Sequence, residues 1–290
     1  MSCTNPGPQR AVQPHVAMLN TIVCIKQVPD TTQVHTAPQT NTLVREGVPS
    51  IINPFDLHAV EAAAQLKETY GGTCTIVSMG PPQAVETLQK ALSFGADRAI
   101  LLSDKALSGS DTLATSAALA AVVRRLDREQ KVDLVLCGKQ TIDGDTAQVG
   151  PGIATRLGFS QITYVGKIES VDLESRRLRA RRVLEAAEEL VEAPLPALLT
   201  VLKEIGEPRY APLPQVIGGL RAEIPVWGIA DAEIAPDEVG LGGSPTQVRQ
   251  ISAPPARTGG HVIASDDGNP DRAADLLLDR LLADGILEGS

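Results

Sequence analysis

Four apolar, β-branched runs alternate with helical patterns, and this alternation constrains the fold more than any other feature of the chain. The runs are TIVCIKQV, TCTIVSMG, RAILLS and VDLVLCG, and continuous apolar runs indicate strands that are covered on both faces. Helices are predicted over 54–70, with Asn53 as N-cap, over 83–96, from Asp111 to about Arg128, and around 147–158. The pattern predicts an α/β fold with a parallel sheet and helices on both faces.

The chain beyond residue 160 departs from this pattern. The stretch RRLRARRVLEAAEEL favours a charged helix by propensity, whereas its flanks ITYVGKIESVDL and ALLTVL favour a meander of strands. The Pro- and Gly-rich residues 232–261 predict an extended, poorly packed arm. An amphipathic helix over 269–287, capped by Asn269, follows the arm and docks either on a partner subunit or on its own domain.

The first 17 residues are polar and Pro-rich, which predicts a disordered extension or an upstream start codon with Met18 as the natural start. The predicted organisation therefore has four parts: an N-terminal extension (1–19), a nucleotide-binding α/β core (20–160), strands with a partner-recognition loop (161–231), and an arm with a C-terminal helix (232–290).

Composition excludes several classes of protein. A net charge of -9 and an aromatic content of 2% disfavour binding to nucleic acid. No apolar run reaches the roughly 18 residues of a membrane helix, and the four cysteines stand singly, so we expect a cytoplasmic protein without a zinc site or a redox dithiol. The motifs GxxxxGK[ST], GxGxxG, HExxH and GxSxG are absent, which disfavours hydrolases and metalloenzymes.

Two polar loops follow predicted strands, at the edge where open α/β sheets bind their ligands. The loop GKQTIDGDTAQVGP (138–151) offers amides, hydroxyls and backbone N–H groups before a helix, which suits an anion such as a pyrophosphate. Asp145 and Thr146 equally suit a simple helix cap. The loop GSDTLATS (109–116) has the same character, with Asp111 as the cap of the next helix and hydroxyls from Thr112, Thr115 and Ser116. Together the two loops favour a ligand.

Ordered blocks along the chain resemble the β subunit of electron transfer flavoprotein. They are VCIKQVPDT, INPFDLHAVEAAAQLKE, SMGPPQAVETLQKALSFGADRAILLSD, GSDTLATS, LCGKQTIDGDTAQVGPGIATRLG and EPRYAPLP. The resemblance implies an adenine-nucleotide α-hydrolase-like domain and an obligate α subunit that holds an FAD. It also implies that 161–202 forms strands shared with the α subunit in a β-rich base, and that the C-terminal helix packs on that partner.

The family has two branches, and the resemblance favours one of them. In conventional members the β subunit holds AMP, and the complex carries electrons from acyl-CoA dehydrogenases to a quinone oxidoreductase. In electron-bifurcating members the same pocket holds FAD, NADH is the reductant, and electrons divide between the α-subunit FAD and ferredoxin or flavodoxin. VREGVPSIINPFDLHA, DGDTAQVGP and DRAADLLLDRLLADGIL resemble the bifurcating, nitrogen-fixation-associated branch.

The resemblance implies a set of cofactor-binding residues at the strand ends. They are Ile25, Lys26, Pro29 and Asp30; Asn53 and Asp56; Ser78, Met79 and Gly80; Asp104, Asp111, Thr112 and Thr115; Cys137, Gly138, Lys139 and Gln140; and Asp145, Thr146, Ala147, Gln148, Val149, Gly150 and Pro151. No catalytic residue and no metal ligand is predicted.

The resemblance also implies a partner-recognition loop over 204–214, with Glu204, Ile205, Arg209, Tyr210 and Leu213 as its members. Ile205 and Leu213 are suited to anchor a dehydrogenase, and ordinary core packing is the alternative for both. Three functions are therefore considered: a bifurcating subunit with FAD, a conventional shuttle with structural AMP, and a nucleotide-binding regulatory protein without redox chemistry.

Overall fold

The computed structural model describes residues 18–30, 35–36, 43–44, 49–248, 260, 262–264 and 268–287. Most of the predicted N-terminal extension and most of residues 30–52, a polar stretch that predicts a long irregular loop, lie outside the described residues. The helices are α1 (Pro54–Tyr70), α2 (Ala84–Leu92), α3 (Thr112–Glu129), α4 (Val149–Leu157), α5 (Leu213–Arg221) and α6 (Pro270–Ala283). The strands are β1 (Leu19–Ile25), β2 (Gln27–Pro29), β3 (His35–Thr36), β4 (Leu43–Val44), β5 (Ser50–Ile52), β6 (Gly72–Met79), β7 (Arg98–Leu102), β8 (Leu134–Gly138), β9 (Ser160–Asp172), β10 (Arg177–Val183), β11 (Glu188–Pro194), β12 (Ala197–Val201) and β13 (Val226–Trp227).

Within the described residues, the largest sheet has nine strands in the order β11-β10-β9-β12-β8-β1-β6-β7-β13. The strands from β9 to β13 in this order run parallel, whereas β10 pairs antiparallel with both β9 and β11. The predicted parallel α/β sheet is confirmed, and an antiparallel extension continues it at one end.

Both faces of the sheet are buried, because successive side chains of each central strand enter different cores. Val23, Ile76 and Leu136 face the core that α1 and α2 cover. Their neighbours in sequence, such as Val77 and Val135, face a second core beneath α3 and α4. This double burial explains why the strands are continuous apolar runs.

The segment over 161–202 forms strands, as the resemblance implied, and the helix that propensity favours for 177–191 does not form. Leu178 and Ala180 are buried between exposed arginines of β10, which is the alternation of a strand with one buried face. Arg181 bridges Glu169 on β9 and Glu188 on β11, so the charges that suggested a helix join neighbouring strands instead.

The first part of the predicted arm is well packed, which corrects the expectation for residues 232–244. Ala232, Ile234 and Val239 are buried in the core beneath α3. The predicted C-terminal helix is present as α6, and the Asn269 side chain at its start accepts a hydrogen bond from the Asp271 N–H at 3.0 Å. No residue of α6 is buried by the described part of the chain, so its docking on a partner stays a prediction.

Candidate nucleotide site at the carboxyl edge of the sheet

The topology predicts a crevice outside the carboxyl ends of β1 and β8, because the chain leaves these adjacent strands in opposite directions. From β1 it continues through α1 to β6 on one side, and from β8 it continues through α4 to β9 on the other. Such a switch point is where open α/β sheets bind their ligands. Lys26 follows β1 at this edge and Gly138 ends β8, so topology and resemblance select the same place.

The loop between β8 and α4 presents a row of unused backbone donors. Within the described residues, the N–H groups of residues 146–150 donate to no protein acceptor. Asp145 and Ala147 both have φ of 55°, in the left-handed region, and Gln148 is right-handed. Alternation of this kind turns successive N–H groups toward one point and, beside a helix N-terminus, forms an anion-binding concavity.

Two glycines let the main chain come close at this edge. A Cβ on Gly150 would lie 2.6 Å from Thr200 Cγ2 on β12, and one on Gly138 would overlap the Asp56 carboxylate. Since contacts this short do not occur, the N-terminus of α4 and the end of β8 keep their positions only with glycine.

Asp145 and Thr146 do not cap α4, which begins at Val149 with Gln148 in the N-cap position. The Asp145 side chain instead accepts a hydrogen bond from the Gln140 amide. This outcome removes the helix-cap alternative for the loop and leaves its conformation to be explained by a ligand or by its contacts with the rest of the edge.

Asn53 and Asp56 are buried at the start of α1, and their contacts differ from those expected. Asn53 makes no side-chain cap on α1, because its side chain bonds the main chain of the 138–151 loop. The Asp56 carboxylate accepts the backbone N–H groups of Lys26 at 2.7 Å and Gly138 at 3.1 Å. Both side chains are therefore occupied by protein.

Two charged contacts complete the edge. The Lys26 ammonium pairs with Asp143 at 2.8 Å, and the Lys139 ammonium lies 5.0 Å from the centre of the Tyr164 ring. Asp143 was not among the predicted contacts. Asp143 is 117 residues from Lys26 in the chain. The contact follows from the pairing of β1 with β8, which the local sequence does not show.

In the loop between β7 and α3, both Asp104 and Asp111 bond protein groups. Asp111 caps α3 through the N–H groups of Leu113 and Ala114, as its sequence position indicated, and its other oxygen accepts from the N–H and hydroxyl of Thr246. Asp104 accepts from the Ile229 N–H at 3.2 Å. Both carboxylates thus hold the C-terminal segment, and direct ligand contact is no longer required to explain them.

Thr112 links the two polar loops, because its hydroxyl donates to the Gln148 side chain at 2.9 Å. Ser78 contributes a different feature: its hydroxyl is buried and has no hydrogen-bond partner among the described residues. A buried hydroxyl without a partner costs free energy, so it is a candidate for contact with a ligand.

The remaining predicted residues divide between the core and the edge. The side chains of Ile25 and Cys137 are buried in opposite cores, which leaves only their main chain to contact a ligand. Met79 is half-buried, and the Gly80 N–H donates to the Leu102 carbonyl. Pro29 of β2 pairs with Ser50 of β5. In the first turn of α3, the Thr115 N–H donates to the Asp111 carbonyl.

The predicted partner-recognition loop is fixed at its base and exposed at its tip. Arg209 is turned inward onto α1, where it pairs with Glu61 at 2.8 Å and with Glu68. Tyr210 is fully exposed and Leu213 is 70% exposed. Ile205 packs against the first core, so core packing is the better interpretation for that residue. Glu204 is exposed.

A groove of about 330 Å³ lies between the β2–β5 hairpin, α2 and α5. Its apolar wall includes Ile52 and Leu220, and its polar wall includes Gln27, Thr87 and Lys90. Gln27 follows Lys26 in the chain and Ile52 precedes Asn53, so two residues of the groove neighbour residues of the carboxyl edge in sequence. Its volume is within the range of small-ligand pockets.

The described residues contain no cluster of His, Cys, Asp and Glu suited to a metal ion. None of the helices in this part of the chain has both the length and the apolar composition needed to cross a membrane.

The sheet order is that of a doubly wound α/β protein, a class that binds its ligands at the switch point of the sheet. Residues 40–232 match the model of the electron transfer flavoprotein domain. The chain is 48% identical over 265 residues to protein FixA of Azotobacter vinelandii, covering 91% of this chain and 94% of that protein.

Two further relatives have comparable identity. Electron transfer flavoprotein subunit beta of Clostridium acetobutylicum is 47% identical over 245 residues, covering 84% of this chain and 92% of that protein. Subunit CarD of the caffeyl-CoA reductase–Etf complex of Acetobacterium woodii is 47% identical over 249 residues, covering 86% and 93%. The chain therefore belongs to the electron transfer flavoprotein family, as a β subunit of the FixA type.

Proposed function

We propose that this chain binds FAD in the crevice between β1 and β8 and works with an α subunit as an NADH-dependent, electron-bifurcating flavoprotein. The observation that carries the nucleotide assignment is the row of N–H groups over residues 146–150 at a helix N-terminus, which donate to no acceptor in the described chain. Five consecutive free donors at a helix N-terminus suit the oxygens of a pyrophosphate. Membership of the family supports a redox role over that of a regulatory nucleotide-binding protein.

The residues present fit a dinucleotide. The 146–150 donors would hold its phosphates, while the Ser78 hydroxyl, which has no partner in the described protein, would gain one. When bound, the flavin supplies hydride acceptance from NADH and one-electron delivery to the α-subunit FAD and to ferredoxin or flavodoxin. The part of the protein is to bind and orient this group and to tune its electronics through its surroundings.

The groove favours FAD over AMP as the ligand. AMP would fill only the crevice, whereas a dinucleotide extends beyond its AMP half and needs further space nearby. The groove supplies about 330 Å³ lined by Gln27 and Ile52, the sequence neighbours of Lys26 and Asn53, with apolar side chains on one wall and hydrogen-bonding groups on the other. Such a lining suits a planar heteroaromatic ring. The alternative is a conventional subunit with structural AMP that shuttles electrons from acyl-CoA dehydrogenases.

The partner assignments rest on the relatives and on exposed apolar surface. The C. acetobutylicum relative is named as a β subunit and CarD as a subunit of a reductase–Etf complex, which supports an obligate α subunit here. Tyr210 and Leu213 are exposed beside a loop that Arg209 fixes to α1. We assign them to contact with an acyl-CoA dehydrogenase or a quinone oxidoreductase.

The test is the flavin content of the co-purified αβ heterodimer, measured after reconstitution with FAD. Two FAD per heterodimer, with bleaching of the flavin absorbance by NADH, is the expected result. One FAD and one AMP per heterodimer after reconstitution would overturn the bifurcating assignment and favour the conventional shuttle. No nucleotide beyond the α-subunit FAD would overturn the site itself.

A further inference from the structure

The start of α1 carries two buried polar side chains that bond the main chain around the crevice. Asn53 is 0% exposed and Asp56 is 5% exposed. The Asp56 carboxylate accepts the Lys26 N–H at 2.7 Å through one oxygen and the Gly138 N–H at 3.1 Å through the other. One carboxylate thus joins the carboxyl ends of β1 and β8, the two strands that diverge at the switch point.

Asn53 extends this connection into the loop. Its amide donates to the Gln140 carbonyl at 2.8 Å, and its side-chain oxygen accepts the Ile142 N–H at 3.2 Å. Its own N–H donates to the Lys26 carbonyl at 2.9 Å. These bonds of Asn53 and Asp56 together form a brace, in which one turn of α1 holds both strand ends and the start of the 138–151 loop.

Gly138 gives independent evidence that this arrangement is specific. A Cβ at that position would overlap the Asp56 carboxylate and would lie 2.7 Å from the Phe55 carbonyl carbon. The absence of a side chain on Gly138 is therefore what allows Asp56 to reach the end of β8.

From this geometry we propose that Asn53 and Asp56 are positioning residues for the nucleotide, and that neither contacts it. They fix the separation of the β1 and β8 ends and the path of the loop, and so direct the 146–150 N–H groups toward the ligand. This inference rests on the proposed nucleotide site. It replaces the cofactor contacts that resemblance implied for these two residues.

Ionisation of Asp56 links the brace to pH. Burial raises the pKa of the Asp56 carboxyl to about 7, and the N–H groups that it accepts oppose this rise only in part. The charged and titratable groups facing it are the Lys26 ammonium, which Asp143 also contacts, and the Cys137 thiol of β8. Each oxygen of the ionised carboxylate accepts one backbone N–H. Protonation places a hydrogen on one of these oxygens, where it faces an N–H donor, so one bond of the brace is lost.

The sign of the effect separates positioning from a purely structural role. Because the folded-state pKa lies above the ordinary value of 3.8, this group lowers folding stability as pH rises between those values. Nucleotide affinity should change in the opposite direction, since only the ionised carboxylate completes the brace. Affinity is expected to fall about tenfold from about pH 8 to about pH 6 if only that form binds.

The experiment titrates FAD into αβ heterodimer stripped of its β-subunit nucleotide at several pH values, and AMP at about pH 8 alone, because the AMP phosphate itself titrates at about pH 6. Asp56→Asn keeps the shape but replaces one acceptor by a donor, so we expect affinity about tenfold weaker at about pH 8 and no remaining pH dependence. The matched control is Asp133→Asn. Asp133 is also buried and accepts the Asn20 N–H, but at the amino ends of the same two strands.

Asp133→Asn should lower the unfolding temperature and leave affinity and its pH dependence unchanged. Asn53→Ala removes the bonds to the loop and also a side-chain hydrogen bond to the Asp56 carboxylate, so it should weaken binding and retain a pH dependence that is moved to higher pH, and it serves if Asp56→Asn does not fold. Wild-type affinity and pH dependence in a folded Asp56→Asn or Asn53→Ala heterodimer would overturn the positioning roles. Failure of the wild-type β subunit to bind either nucleotide would instead overturn the proposed function.

Discussion

At both edges of the central sheet a buried carboxylate bonds main-chain N–H groups, but the two edges differ in which polar groups have no partner in the described chain. At the amino edge, the Asp133 carboxylate accepts the Asn20 N–H at 2.9 Å and pairs with Arg176. At the carboxyl edge, the Asp56 carboxylate joins Lys26 and Gly138. In both places a buried carboxylate ties β1 to the segment that carries β8.

The amino edge satisfies its polar groups within the chain. The Asn20 side chain donates to the Lys131 carbonyl and accepts from Thr73 and Gln130, and the cavity there is only about 10 Å³, roughly the volume for one water. The carboxyl edge leaves the 146–150 donors and the Ser78 hydroxyl without partners in the described chain. Because a buried group without a partner, such as the Ser78 hydroxyl, is costly, this difference indicates that a buried carboxylate stabilises both edges and that the carboxyl edge is the one suited to a ligand.

The largest expected effect comes from Gly138→Ala, which would break the carboxyl edge. The new Cβ would displace Asp56 from the end of β8, and overpacking of this kind costs about 1–3 kcal/mol of unfolding free energy. We also expect the β-subunit nucleotide to be lost. Chemical denaturation and nucleotide analysis of the heterodimer measure the two effects.

Gly218→Ala is the matched control for this substitution. Gly218 lies inside α5, and a Cβ there would meet nothing within 4 Å. Alanine in a helix interior is up to about 1 kcal/mol more favourable than glycine, so stability should be unchanged or higher and nucleotide content normal. Normal nucleotide content in Gly138→Ala would contradict the close approach of Asp56.

Asp145→Ala tests the loop itself and has an intermediate expected effect. The φ of Asp145 is 55°, in the left-handed region. After glycine, Asp and Asn adopt this region more readily than other residues. Alanine would therefore cost about 1 kcal/mol in this conformation, or roughly a five- to tenfold loss of nucleotide affinity. The α-subunit FAD should remain in place.

The control is Asp145→Asn, which tolerates the same backbone conformation and should retain most of the affinity. Equal nucleotide content in Asp145→Ala and the wild type would count against placing the ligand at this loop.

The strands of the central sheet and the position of its carboxyl edge were predictable from local sequence. Apolar runs ending in polar loops identified the strands, their parallel pairing and the carboxyl edge, because burial on both faces leaves a pattern in the chain itself. Asp111 was correctly predicted as a helix cap, since a cap bonds N–H groups two and three residues away.

The contacts that differ from prediction join segments far apart in the chain. Asp104 and Asp111 hold residues about 125 and 135 positions away, and Asn53 reaches a loop 87 residues away. Polar residues at strand ends resemble ligand contacts whether they bind a ligand or another segment. Only the positions of those distant segments distinguish the two cases.

Ser78→Ala gives the smallest effect and separates the two edges by sign. Removing a buried hydroxyl that has no partner should raise the unfolding free energy of nucleotide-free protein by a few tenths to about 1 kcal/mol. The same change should weaken nucleotide binding, because the ligand would lose that hydrogen bond.

Ser116→Ala is the control, since the buried Ser116 hydroxyl already donates to the Leu113 carbonyl at 2.8 Å. That variant should lose stability, and thermal unfolding with and without AMP distinguishes the outcomes. If Ser78→Ala lowers the stability of the nucleotide-free protein, the hydroxyl has a protein partner and does not mark the ligand edge.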